Sequence, residues 1–279
     1  MVGIVGESGC GKSTLARIVT GLLPPSSGEV RYRGASVSGA AGDPARLLEL
    51  QMVFQDPLAS LNPRLRVRDI LAEAPLVHGR CPAGGQREFV AALLASVGLE
   101  PASAERFPHQ FSGGQRQRIG IARALAMQPR LLVCDEPVAA LDVSVQAQVL
   151  NLFMRLREEH RLTYLFISHD LGVVRHLSDR VVILYLGRVV EEGPAAEIFA
   201  RARHPYTRAL LDAAPRLEAG GRFQPVQGEI PSPLAPPPGC HFHPRCPFAT
   251  DRCRSEAPRL RELAPGHRSA CHLDDGAGS

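Results

Sequence analysis

Gly6-Glu7-Ser8-Gly9-Cys10-Gly11-Lys12-Ser13 fits the pattern G-x-x-x-x-G-K-[ST]. Lys12 is the only lysine among the 279 residues; every other basic residue in the Lys+Arg total of 32 is an arginine. A compact ammonium on a flexible stem suits a reach between phosphates, where a planar guanidinium is bulkier and differently aimed. The glycines free backbone N–H groups to face phosphate oxygens at a helix N-terminus, and the Ser13 hydroxyl can meet Mg²⁺. The stretch predicts a nucleoside triphosphate site lined by Gly6, Glu7, Ser8, Gly9, Cys10, Gly11, Lys12, Ser13 and Thr14. The plainer alternative is a glycine turn before a helix. Val2 to Val5 reads as a buried strand entering the loop, and Leu15, Ile18, Val19 and Leu22 follow helical spacing after it, which favours the phosphate loop.

Outward from the loop, Pro24-Pro25 predicts the end of that helix, and Glu29 to Arg33 alternates like an exposed strand. Gln51 to Gln55 reads as a strand stopped by Asp56-Pro57, and the pattern is then helical to about Arg130, with loops at 81–85 and 101–103. Leu131 to Asp135 is a continuous apolar run ending in acid, as in a strand buried on both faces; Val145 to His160 is helical; Leu162 to Ser168 and Val181 to Tyr185 are further strands. Strands alternating with helices predict an α/β fold with a parallel sheet. After Pro194 the character changes: helical pieces over Ile198 to Ala214, a proline-rich stretch from Pro231 to Pro238, then a Cys/His-rich tail from Cys240 to His272. The expected divisions are a core of residues 1–55 and 130–194, a helical part 56–129, and an extension 195–279.

The composition, 44% hydrophobic and 22% charged with a net charge of +4, is that of an ordinary globular protein. The arginines are scattered, with no block of like charge that would mark a nucleic-acid arm. No run of 18 apolar residues occurs, and the N-terminal stretch lacks the features of a signal peptide. Seven cysteines in a chain of cytosolic type are expected to be reduced, so a cluster of them suggests metal before disulfides.

Two further stretches carry chemistry. The strand Leu131 to Asp135 delivers Asp135 to the carboxyl edge of the sheet, where ligands bind in open α/β folds. Asp135 can hold Mg²⁺ through water, and Glu136 then stands where it can polarise a water as general base. Phe111-Ser112-Gly113-Gly114-Gln115 opens a helix, with Ser112 as N-cap and two glycines exposing amides. It is a second anion-binding helix N-terminus, which makes sense if Ser112, Gly113, Gly114 and Gln115 contact a phosphate held by another subunit.

With these motifs the chain resembles the ATP-binding subunits of ABC transporters, whose signature is L-S-G-G-Q; here the first position is Phe111. The resemblance implies a P-loop NTPase core of RecA-like type with a helical signature subdomain, binding ATP and Mg²⁺. It also implies that Gln55 is the Q-loop glutamine reading Mg²⁺ and touching membrane subunits. Asp142, in Ala140-Leu141-Asp142, belongs to the loop that crosses to the partner's site, although Ala139 replaces a serine frequent in the family. His169 matches the switch histidine that contacts the γ-phosphate; read alone, it is more simply a strand-end residue.

Ser60-Leu61-Asn62-Pro63-Arg64, His204-Pro205-Tyr206-Thr207-Arg208 and Gly239-Cys240-His241-Phe242-His243-Pro244-Arg245-Cys246-Pro247 look like the dipeptide/oligopeptide/nickel importer branch. The implied partners are a second ATPase subunit (the same chain or a paralogue), two transmembrane permease subunits and, indirectly, a solute-binding protein, at the cytoplasmic face of the cell membrane and without nucleic acid. A DNA-repair or chromosome ATPase shares the ATP motifs, but the stretch from Asp56 to Phe111 is too short for the long insertions of that class.

Cys240, Cys246, Cys253 and Cys271 are spaced C-x5-C-x6-C-x17-C. That spacing lacks the close knuckles usual for structural zinc and leaves an iron–sulfur cluster, zinc and free thiols open. The resemblance implies a [4Fe–4S] cluster there. In the family, antiparallel strands with an adenine-stacking aromatic precede the phosphate loop. This chain opens on the loop's own strand and so reads as N-terminally truncated, with a weakly active nucleotide-binding fragment as the alternative function. Tyr32 lies after the loop and does not match that aromatic. Loss of such a platform costs about 1–3 kcal/mol, and strand residues near Glu29–Arg33 are expected to lack partners.

Overall fold

A computed structural model describes residues 1–37, 44–82, 84–213 and 228–276. Ala214, part of an expected helix, and residue 83, part of an expected loop, lie outside the described residues. The strands are β1 Val2–Val5, β2 Arg31–Tyr32, β3 Ala35–Ser36, β4 Leu50–Val53, β5 Leu131–Asp135, β6 Thr163–Ile167, β7 Arg180–Tyr185, β8 Arg188–Pro194, β9 Arg261–Ala264 and β10 His267–Ser269. The helices are α1 Lys12–Val19, α2 Pro44–Leu47, α3 Pro57–Ser60, α4 Val67–Val77, α5 Gln86–Ser96, α6 Gly113–Leu125, α7 Val143–His160, α8 Leu171–Leu177, α9 Ala195–Arg201, α10 Pro205–Ala213 and α11 Asp251–Ser255. Two compact units divide the chain: Met1–Lys12 with Phe166–Ser279, and Ser13–Leu165.

In the first unit, β1 runs parallel to β7, with Val2 opposite Arg180 and Val5 opposite Ile183. Gly3 lets α8 approach β1, since a Cβ there would lie 2.5 Å from both Ser178 Oγ and Val174 Cγ1. β7 turns back into antiparallel β8 through Leu186 and Gly187, both at positive φ, the two-residue turn whose twist matches its strands. β8 pairs with β10, and β10 with β9, so the tail adds strands that hydropathy did not reveal. The core gathers Val5, Val174, Ile183, Tyr185, Ile198, Tyr206 and Phe242.

A buried carboxylate joins these pieces. Glu191 of β8 is fully buried. It accepts hydrogen bonds from the Arg203 and His204 amides (2.7 and 3.0 Å) and pairs with His267 Nε2 of β10 at 2.8 Å. Burial pushes the His204 imidazole down to about 3, so it stays neutral and its Nδ1 accepts the Tyr206 amide.

In the second unit, β4 runs parallel to β5, with Leu50 opposite Leu131 and Val53 opposite Cys134. Between them in sequence lie α3 to α6, the helical stretch expected from the pattern. Leu71, Leu94, Ile119, Ile121, Leu132, Phe153 and Leu156 fill its interior. Tyr164 packs edge-on to Phe153 and donates to that residue's carbonyl at 3.2 Å.

Two local expectations are corrected. α1 ends at Val19 rather than at Pro24-Pro25. Gly21 takes a positive φ, its amide bonds the Ile18 carbonyl, and the Leu22 amide bonds Arg17, a Schellman stop that leaves Leu22 exposed. The residues near Glu29–Arg33 are not left unpaired: Arg31–Tyr32 pairs with Ala35–Ser36 across Arg33-Gly34, another turn with two positive φ values.

Replacing Glu191 by Ala leaves the Arg203 and His204 amides and the buried His267 ring without their carboxylate partner. We expect a loss of about 3–5 kcal/mol of stability, read as a lower denaturation midpoint; an unchanged midpoint would contradict the bridging role of Glu191.

Candidate nucleotide site

The phosphate loop sits between β1 and α1. Gly9 and Gly11 adopt φ of 80° and 100°, which side chains rarely tolerate. Gly6 has no room for a side chain: a Cβ would collide with the Leu184 carbonyl oxygen and lie 2.7 Å from Cys10 Sγ. Lys12 is only 5% exposed. Its ammonium donates to the carbonyls of Gly6 (2.8 Å) and Glu7 (3.1 Å), so the charge is desolvated but hydrogen-bonded. The Cys10 carbonyl accepts the Gly187 amide from the β7–β8 turn. Burial raises the Cys10 thiol, with the Lys12 charge opposing it. Ser8 and Gly9 face solvent, as does Thr14 in the first turn of α1.

In the second unit, Ser13 follows directly in α1. Its Oγ donates to Asp135 Oδ1 at 3.1 Å. Asp135 is buried at the end of β5, delivered there by the apolar strand. The next residue, Glu136, has φ of 45°, an unfavourable conformation for a side chain of its size. Gln55 Nε2 donates to Glu136 Oε2 at 3.1 Å. Ser13, Gln55 and Asp135 share a cavity of about 750 Å³ with Arg17, Phe54 and Arg123. A larger cavity of about 980 Å³ lies beside Tyr32, Phe89 and Arg130, and among the described residues that line it there is no carboxylate. Tyr32 itself donates to Glu49 at 2.8 Å.

Ser112 caps α6 as expected: its Oγ accepts the Gln115 amide at 3.4 Å, and Gln115 Oε1 accepts the Ser112 amide at 3.1 Å. Gly114 is required because a Cβ would collide with Val145 Cγ1 of α7; Gly113 precedes it in the first turn of α6. Asp142 is exposed and begins α7 without capping it through its side chain. His169, in the first unit, is exposed just after β6, and Asp170 beside it caps α8 through the amides of Gly172 and Val173.

In the tail, Cys240, Cys246 and Cys253 are half-buried and Cys271 is buried, and none of the four is in a disulfide. Burial raises Cys240 and Cys246 and pushes Cys271 up to about 12, and neighbouring tail cysteines add to each shift. The four are thus electrostatic neighbours. They are not gathered into a ligand set: among the described residues no group of three or more His, Cys, Asp or Glu is placed to hold a metal ion. The cluster implied at Cys240, Cys246, Cys253 and Cys271 therefore finds no support in the donor geometry.

The pattern missed two residues at the loop. Tyr206 Oη accepts the Glu7 amide at 2.9 Å, and Arg245 holds the Glu7 carboxylate at 2.6 and 2.9 Å. Their stretches, His204-Pro205-Tyr206 and His243-Pro244-Arg245, were legible only as marks of lineage.

Gly6→Ala tests the close packing under the loop. It is expected to cost about 1–3 kcal/mol through overpacking and to weaken MgATP binding, measured by thermal melting with and without nucleotide; a variant that melts and responds like the parent would contradict it.

Comparison with known proteins agrees with this geometry. Residues 1–139 match the ABC transporter family model, and residues 190–253 match the model of the oligopeptide/dipeptide transporter C-terminal region. A di/tripeptide transport ATP-binding protein of Pseudomonas aeruginosa is 53% identical over 96% of this chain and 84% of its own length. An oligopeptide transport ATP-binding protein of Bacillus subtilis is 50% identical over 98% of this chain and 85% of its own. Among solved structures, a dimeric ATP-binding cassette in a post-hydrolysis state with ADP and Pi is 32% identical with a TM-score of 0.61, over 70% of this chain and 85% of that one. An ABC transporter component of Clostridium perfringens is 32% identical with a TM-score of 0.63, over 72% and 79%. Among the described residues no helix is long and apolar enough to cross a membrane. The chain belongs to the ATP-binding subunits of ABC transporters, as an ATPase of the dipeptide/oligopeptide branch.

Proposed function

We propose that this chain binds and hydrolyses ATP to energise import of di- or oligopeptides, or a similar solute, through an ABC importer. The observation that carries the reading is the 3.1 Å bond from Ser13 Oγ to Asp135 Oδ1, which sets the loop's hydroxyl beside the acid that closes β5. Both are hard oxygen donors of the kind Mg²⁺ prefers, so Ser13 and Asp135, with Gln55, would hold that ion. Mg²⁺, when bound, offsets charge on the phosphate oxygens.

In this reading the loop amides from Gly9 to Thr14 cradle the phosphates and the Lys12 ammonium neutralises them. Glu136 takes a proton from the attacking water, and the 3.1 Å bond from Gln55 aims its carboxylate. His169 contacts the γ-phosphate. The helix start at Ser112, Gly113, Gly114 and Gln115, together with Asp142, serves the nucleotide of a second ATPase subunit, identical or paralogous, arranged head to tail. The ATPase core is residues 1–55 and 130–194; the helical part 56–129 docks on two permease subunits at the cytoplasmic face of the membrane, and the extension 195–279 completes the subunit. A solute-binding protein and the permease subunits choose the solute. A [4Fe–4S] cluster forms no part of the reading, because the tail sulfurs are not gathered as ligands.

Glu136→Gln separates binding from chemistry. With the partner subunits present, phosphate release is expected to fall by about 10²–10⁴-fold while MgATP still binds. A variant that keeps parental turnover would remove Glu136 from the base role.

A further inference from the structure

Glu7 is held at its amide and carboxylate by distant parts of the first unit and at its carbonyl by its own loop. Its amide donates to Tyr206 Oη at 2.9 Å. Its carboxylate takes two hydrogen bonds from Arg245, Nη1 at 2.6 Å and Nη2 at 2.9 Å. Its carbonyl accepts the Lys12 ammonium at 3.1 Å and the Cys10 amide at 3.3 Å. Two residues at 199 and 238 positions' remove thus act on the residue whose carbonyl holds the phosphate-binding lysine.

The clamp is itself rigid. The Arg245 side chain is 3% exposed and that of Glu7 20%, so solvent screens the pair little. The two-pronged geometry is one that arginine forms and lysine does not. Arg245 lies beside Tyr185 and Phe242, with its guanidinium 5.9 and 6.0 Å from their ring centres. Phe242 is buried in the core of the unit and packs 5.3 Å from both Tyr185 and Tyr206. The tail is therefore anchored before it reaches the loop, and its arginine arrives at a fixed position. A flexible glycine loop gains most from such support, because each residue left free must be frozen when phosphate binds.

We propose that Arg245 and Tyr206 are positioning residues for the phosphate loop: by fixing Glu7 they hold the loop in its binding conformation before ATP arrives. The C-terminal extension then contributes to nucleotide affinity without touching the nucleotide. The effect falls on binding, since fixing one residue's backbone is worth about 5- to 30-fold in an equilibrium constant.

The test is steady-state ATPase kinetics of the full chain with its partner subunits, alongside melting curves. Arg245→Ala is expected to raise KM for MgATP about 5- to 30-fold while kcat changes by about twofold or less. Arg245→Lys should recover part of the loss. Glu7→Ala should match Arg245→Ala, and the double variant should be no worse than either single one, the mark of two residues acting as a pair. A natively melting Arg245→Ala with unchanged KM, a loss confined to kcat, or additive losses in the double variant would each overturn the proposal. If Arg245→Ala does not fold, Tyr206→Phe decides: it removes one hydroxyl from the Glu7 amide, and a raised KM supports the proposal while a parental KM overturns it. A parental chain with no saturable ATPase would instead sink the nucleotide reading itself.

Discussion

A buried ammonium must be hydrogen-bonded, and Lys12 meets that demand with the carbonyls of Gly6 and Glu7. The constraint spreads outward from there. Gly6 can present its carbonyl only because no side chain competes with the Leu184 oxygen of β7. Glu7 is held by Tyr206 and Arg245, and the Cys10 carbonyl takes the amide of Gly187. Strand β7, its turn, helix α10 and the tail are thus tied to one short loop. The same unit holds a second buried charge at Glu191, met by the Arg203 and His204 amides and by the His267 ring. The Lys12 charge is satisfied within its own loop, which distant residues then hold, whereas Glu191 reaches His267 across 76 positions, so each ties local chemistry to the tertiary arrangement.

The second unit uses a different device. A strand buried along most of its length, β5, ends on Asp135, and the backbone then enters a positive φ at Glu136. Apolar burial fixes where the strand ends, and the unfavourable turn directs the second carboxylate towards Gln55. Backbone strain of about 1–3 kcal/mol survives only where packing holds it; here it separates the roles of two consecutive acids, one beside Ser13 and one beside Gln55.

Much of this was legible in the sequence where one local signal dominated. β1 and β5 appear at the residues expected, because each is an apolar run bounded by a loop glycine or an acid. Ser112 capped α6 as its residue type implied. β8 was not legible, since Glu191 reads as a solvent residue until the His267 and backbone donors that bury it are known. The end of α1 was misplaced because two prolines outweighed a lone glycine, although Gly21 supplies the left-handed stop. The Arg245 clamp was invisible for a simpler reason: no periodicity links residues 238 apart. The spacing of the tail cysteines left cluster, zinc and free thiols open, and the cluster that the resemblance implied finds no gathered donor set among the described residues.

In the proposed reading this chain supplies half of each ATP site, and a second subunit completes it with the α6 helix start. The most direct test is the ATPase rate per chain as the protein is diluted at saturating MgATP. A rate per chain that rises with protein concentration and then levels off is the result expected for sites shared between subunits. A rate per chain that stays constant down to concentrations at which the protein is shown to be monomeric would contradict it.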